Sequence, residues 1–88
     1  MTYQIIVRPD LEKKFRKIQK RNKEQLEQVL KKTEEISKNP HHYKNLKAPM
    51  NHLRRVHIDS HFVLIFSVNE KSKSITLEDF AHHDEAYQ

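Results

Sequence analysis

Glycine is absent from this 88-residue chain, and so are cysteine and tryptophan. Without glycine there is no glycine-rich phosphate loop of the P-loop or dinucleotide-binding kind. Tight turns then fall to Asn, Asp and Ser, which tolerate turn backbones best after glycine. Without cysteine, neither a disulfide nor a thiolate metal site can staple the fold, and a cytoplasmic setting fits. Long apolar runs are missing too. None approaches the roughly 18 residues that a membrane span needs, so no membrane partner is expected. The N-terminus reads as a strand and not as a basic region followed by a signal-peptide core. Apolar residues make up 35% of the chain, below the usual share of about 45–50%. At this length a single domain over residues 1–88 is expected. Its core must be thin, and a partner covering more apolar surface would reinforce it.

Positive charge is present in excess. Lysine and arginine total 17 against 12 acidic residues, a formal net charge of +5. In so small a domain that balance points to a polyanion, with nucleic acid first. The chain also carries seven histidines, the side chain whose ordinary titration lies nearest neutrality.

Tyr3, Ile5 and Val7 alternate in residues 2–7, which predicts a strand ended by Pro9. Asp10 is placed to cap a helix, with Glu12 near its positive end. Leu11, Phe15 and Ile18 follow at helical spacing with lysines and arginine around them. Asn22 restarts the helix with Gln25 three residues on, a capping-box-like pair. Leu26, Val29, Leu30, Thr33 and Ile36 form a second apolar stripe, which Asn39 and Pro40 stop. The break between the stripes is short, so the helices form an antiparallel hairpin. Residues 41–52 read as a polar, basic loop between Pro40 and Pro49. Residues 53–59 read as a strand with Val56 and Ile58 on one face and Arg55, His57 and Asp59 on the other. Residues 62–68 are apolar almost throughout, hence a central strand buried on both faces. A polar hairpin loop leads to the last strand, residues 75–80, with Ile75 and Leu77 opposite Thr76 and Glu78. The expected fold is α+β: an N-terminal strand, an antiparallel helical hairpin, then a three-stranded antiparallel meander, with the helices on one face of the sheet.

The face opposite the helices collects the chemistry. Arg55, His57 and Asp59 share it, His61 opens the next strand, and His82 and His83 follow the last. Tyr87 lies four residues beyond His83, and Lys44 and Lys47 sit in the basic loop. Metal-free RNA cleavage needs a base for the 2′-hydroxyl proton, an acid for the leaving 5′-oxygen, and cations on the phosphate. Histidines supply the first two roles and Lys or Arg the third. The 2′-hydroxyl also explains why such a site would act on RNA and not DNA. Plainer readings stand beside these. His57 and His83 are also ordinary polar surface residues, Arg54 and Arg55 are also edge-strand charges that discourage aggregation, and the ring of Tyr87 is also suited to packing. The histidines lack zinc-ligand spacing, so neither a metal nor another cofactor is expected.

One run of residues carries a more specific signal: Leu46 in the basic loop, Arg54, His57-Ile58, Asp59, Phe62, the aliphatic and aromatic run 63–66, His83 and Tyr87. This pattern resembles the RelE/ParE superfamily of bacterial and archaeal toxins, and most closely its YafQ-like branch. The resemblance implies an endoribonuclease, an mRNA interferase without metal, that enters the ribosomal A site and cuts messenger RNA. Its partners would be that mRNA, the 16S and 23S ribosomal RNA around it, and a cognate antitoxin protein. Carried across by position, His57 and His83 would be the acid and base. Arg54 or Arg55 and Lys47 would stabilise phosphate, and Tyr87 or Phe62 would stack on a base or shape the groove. Lys44 and His61 would join Arg54 and Phe62 in binding RNA. Three departures stand out, one being His61, where that branch often carries an acidic residue just before the aromatic. Many relatives carry an arginine directly after the central-strand aromatic, where this chain has Val63, and a loop histidine of that branch is Lys44 here. Two alternatives remain on the same fold: a ParE-like inhibitor that binds DNA gyrase, and a non-catalytic RNA-binding homologue.

Overall fold

The computed structural model describes residues 2–83, and in it Tyr3, Ile5 and Val7 do turn inward, the last two from a strand. β1 (Gln4–Val7) is followed by α1 (Pro9–Arg21), α2 (Lys23–Lys38), a short 3-10 turn (Pro40–His42), β2 (Leu53–Ile58), β3 (Phe62–Asn69) and β4 (Ser74–His82). The strands form one sheet in the order β1-β4-β3-β2. The last three make the expected antiparallel meander, and β1 lies parallel to β4 at the outer edge. Parallel pairing needs a long connection, and the whole chain between Val7 and Ser74 supplies it.

α1 begins two residues earlier than its sequence suggests. Arg8 occupies the cap position without a side-chain cap bond, and Pro9 opens the first turn. The proline ring presets the helical φ, and its missing N–H would lack a partner there anyway. Asp10 therefore joins Glu12 inside the first turn, where their charge meets the positive end of the helix dipole. Asn22 caps α2 as its sequence predicts, its Oδ1 accepting from the Gln25 N–H at 3.2 Å.

Leu11, Ile18, Val29 and Ile36 of the helices pack on Leu64, Phe66, Ile75, Leu77 and Phe80 of the sheet. Leu30, expected on the buried stripe, is instead 58% exposed. It lies about 100° round the helix from Val29, and the residues that reach the sheet leave it outside.

Strict alternation fails once in β4. Ile65 pairs with Asp79 but Phe66 pairs with Leu77, so Glu78 is an extra, bulged residue. A bulge shifts every later side chain to the other face. Leu77 and Phe80 thus both reach the helix-side core, and β4 runs on past residue 80 to pair Ala81 with Val63 and His82 with Phe62.

The glycine-free turns are handled by two non-glycine residues at positive φ, Asp59 at 50° and Lys73 at 52°. Aspartate tolerates this region, and lysine was not expected in it. The β3–β4 turn around Lys73 is held from several sides. Asn69 Oδ1 accepts from the Lys71 and Ser72 N–H groups at 3.0 and 3.1 Å. Glu70 accepts from Lys73 Nζ at 2.8 Å and from the Tyr3 hydroxyl at 3.0 Å, and lies 2.5 Å from His41 Nε2. Among the described residues, no helix is long and apolar enough to cross a membrane.

Lys73 first, and Tyr3 next, hold the Glu70 carboxyl down to about 2 from its ordinary 4.5. A carboxyl depressed by folding stabilises the fold above its unfolded pKa, and that contribution disappears as pH falls through the folded value. The difference in Tm between the wild-type protein and Glu70→Gln should stay constant above pH 4.5 and shrink as pH falls toward about 2. A difference that grows on acidification would contradict this linkage.

Candidate functional site

The site is built on the sheet face that the helices leave open. Burial alternates along β2: Val56 and Ile58 are buried, His57 is exposed and Arg55 half-buried. Across the sheet, His57 pairs with Val63, and Val63 with Ala81. The bulge at Glu78 sets Ala81, and His83 two residues on, facing away from the helices. The His57 and His83 rings then stack, with centroids 5.6 Å apart and planes 23° from parallel. The His83 N–H continues the ladder by donating to the His61 carbonyl at 2.7 Å.

A second feature flanks this pair. Leu46 is the apolar residue within the basic loop, and it is buried against Val63, Ile65 and Leu53 in a small core on the open face. Its N–H donates to the Leu53 carbonyl at 2.9 Å, and the Arg55 N–H donates to the Lys44 carbonyl at 3.3 Å. The loop is thereby folded over the open face, and Ala48–Pro49 within it is a cis peptide. Lys44, Lys47 and Arg55, with Leu46 and Met50, line a pocket of about 630 Å³. Among the described residues, that lining holds three cations and no carboxylate. Arg55 occupies the same strand face as His57, two residues before it, so the cationic pocket and the histidine pair adjoin.

The structure thus brings together His57, His83, Arg55, Lys47 and Lys44. His61 stands near them, exposed, with Nδ1 2.8 Å from Ser60 Oγ and its ring 6.1 Å from that of His82. Two residues expected at the site are set apart, both by strand alternation. Arg54 turns to the helix side, where Nη1 donates to the Tyr43 carbonyl at 2.8 Å and Nη2 faces His41 Nδ1 at 3.4 Å. Phe62 also lies on the helix side, stacked on Phe80 at 5.2 Å and 11° and edge-on to His82, so its ring serves the core. Tyr87 lies outside the described residues. Met50 and Asn45 line the pocket without having been singled out; only their membership of the basic loop pointed to them. Among the described residues, no three of His, Asp and Glu gather as metal ligands.

A sequence model of the family described as "ParE toxin of type II toxin-antitoxin system, parDE" matches residues 5–87. The chain belongs to this family. It is a type II toxin of the RelE/ParE superfamily, the relationship implied by the pattern from Leu46 to Tyr87. Among its relatives, an uncharacterised Methanosarcina mazei protein is 61% identical over 85 residues, 97% of this chain and 99% of that one. A Methanocaldococcus jannaschii protein that bears the provisional name toxin RelE4 is 51% identical over 98% of this chain and 92% of its own length. The fold of this toxin matches the crystal structure of the toxin–antitoxin complex RelBE2 from Mycobacterium tuberculosis, with a TM-score of 0.77. That likeness covers 94% of this chain and 100% of the other at 13% identity, and so speaks for the fold alone.

The loop's seat makes a direct prediction. Leu46→Ala removes the apolar peg from the open face and should cost about 2–3 kcal/mol, as for other buried leucines. Urea unfolding with an unchanged m-value is the measurement; a loss below about 0.5 kcal/mol would mean that the loop is seated by something else.

Proposed function

We propose that this toxin is a ribosome-dependent endoribonuclease that cuts translated mRNA, and that a cognate antitoxin silences it. The observation that carries the reading is the stacked His57–His83 pair adjoining the Lys44, Lys47 and Arg55 pocket on the open face. One imidazole takes the 2′-hydroxyl proton as that oxygen attacks phosphorus. The other returns a proton to the 5′-oxygen as the P–O5′ bond breaks, leaving a 2′,3′-cyclic phosphate and a free 5′-hydroxyl. Lys47 and Arg55 hold the phosphate and balance its developing charge, the task that the central-strand arginine of many relatives would perform and Val63 cannot. Lys44 and His61 extend the cationic rim along the RNA. The substrate is mRNA in the ribosomal A site, framed by ribosomal RNA. The M. tuberculosis neighbour was solved as a toxin–antitoxin complex, which supports an antitoxin partner here. The name of the matching family favours a second reading, in which the same fold binds DNA gyrase without cutting RNA.

The test is cleavage in a translation extract. Wild-type protein should cut within the reading frame, and His57→Ala and His83→Ala should each lower the rate by about 10²-fold or more, as loss of a general acid or base does. Full rates in both variants would sink the histidine assignment. Intact RNA together with inhibited supercoiling would transfer the function to gyrase. The cationic rim has its own signature: Lys44→Ala and Lys47→Ala should each reduce the slope of log affinity against log salt by about 0.7 for single-stranded RNA. A slope unchanged by both substitutions would remove them from the phosphate path.

A further inference from the structure

Arg54 points away from the histidine pair, and what it touches gives it a different task. Its Nη1 donates to the Tyr43 carbonyl at 2.8 Å, at the base of the basic loop. Its Nη2 faces His41 Nδ1 at 3.4 Å. The other nitrogen of that ring, Nε2, lies 2.5 Å from Glu70 Oε1. Glu70 is itself tied to Lys73 at 2.8 Å and to the Tyr3 hydroxyl at 3.0 Å. The line runs from the base of the basic loop, through β2 and the 3-10 turn, to the β3–β4 turn and to Tyr3, just before β1. A neutral His41 with its proton on Nε2 serves both neighbours, donating to the carboxylate and accepting from the guanidinium.

The loop needs such an anchor. Leu46 pegs it to the open face, and its internal bonds run from Met50 N–H to the Lys47 carbonyl and from Leu53 N–H to the Met50 carbonyl. The first backbone fastening of the loop is at Lys44, whose carbonyl accepts from the Arg55 N–H at 3.3 Å, and one residue earlier Tyr43 is where Arg54 takes hold. Lysine side chains recognise phosphate only as well as their backbone is placed.

We propose that Arg54, His41 and Glu70 form a positioning clamp that fixes the basic loop, and with it Lys44 and Lys47, against the sheet. The consequence for RNA rests on the endoribonuclease reading; the clamp itself does not. Arg54 is then a positioning residue for the phosphate-binding lysines, acting from the opposite face of the strand that carries Arg55 and His57.

Hydrogen exchange on the full chain tests it, read at the four loop-fastening amides of Leu46, Met50, Leu53 and Arg55. Arg54→Met should speed their exchange about tenfold, as loss of a charge-assisted bond does, with the amides at the centre of β3 unchanged. Glu70→Ala should speed the same amides about threefold. Glu70 is exposed in a distant turn, so this variant carries the test if Arg54→Met does not fold, and a purely local surface charge would leave the loop untouched. His41→Gln, which offers one donor and one acceptor, should restore wild-type exchange where His41→Ala does not. RNA association, measured alongside, should weaken about fivefold in Arg54→Met with a reduced salt slope. Unchanged loop exchange in both Arg54→Met and Glu70→Ala overturns the clamp. Faster loop exchange with unaltered RNA association overturns its positioning role. If the wild-type protein binds no RNA at all, the nuclease reading fails, and the exchange result alone upholds or overturns the clamp.

Discussion

Burial of β3 on both faces is the constraint from which the rest of this toxin follows. Val63, Leu64, Ile65 and Phe66 are all buried in succession, which a strand at the surface of a two-layer fold does not require. Leu64 and Phe66 face the helices, while Val63 and Ile65 need a cover on the other side. That cover is the loop before β2, with Leu46 as its single deeply placed apolar residue. The demand for apolar cover and the delivery of cations are therefore met by one segment: the residues around Leu46 bring Lys44, Lys47 and Met50 to the edge of the open face. With only 35% apolar composition, the chain builds its second cluster from few side chains, Leu46, Val63 and Ile65 with Leu53 against them.

The edges of the sheet are guarded by charge. Beyond Val7, where β1 ends, the outer edge of β4 pairs with no other strand among the described residues, and Lys14 of α1 reaches across to it, donating to the Phe80 carbonyl and lying 3.6 Å from Asp79. Charged side chains at exposed edges discourage pairing with other chains. On the opposite edge, the Asn45–Arg54 bridge covers the first part of β2. Three other ion pairs join exposed groups one turn apart along a helix, and each such pair contributes little to stability. The Glu70 cluster differs because it joins segments far apart in sequence.

The bulge at Glu78 is a small feature with a large consequence. Glu78 accepts from Ser67 at 2.7 Å and from Arg8 at 3.2 Å, so the extra residue is held by its own side chain. Without it, the twofold alternation from Leu77 would carry residue 83 to the helix side. With it, Phe80 joins the core and His83 meets His57. One inserted residue thus serves packing and places the candidate acid–base pair together.

The residues themselves determined the element order, the helical hairpin, the Asn22 cap and the inward side of β1, β2 and the first half of β4, because those depend on local periodicity and capping chemistry that each short segment carries within itself. The faces of Arg55 and His57 were legible for the same reason, as was the superfamily, through the spacing from Leu46 to Tyr87. Tertiary structure decided what local rules cannot reach. The parallel pairing of β1 with β4 joins residues some 70 apart, and nothing within β1 names its neighbour. The bulge breaks the period that strand reading relies on, so the stacking of His83 on His57 appears only once β3 and β4 are in register. Arg54 and Arg55 are adjacent and chemically identical, and the sequence offered both to the phosphate; alternation across a sheet already covered by helices gave one to the cationic pocket and the other to the loop's backbone.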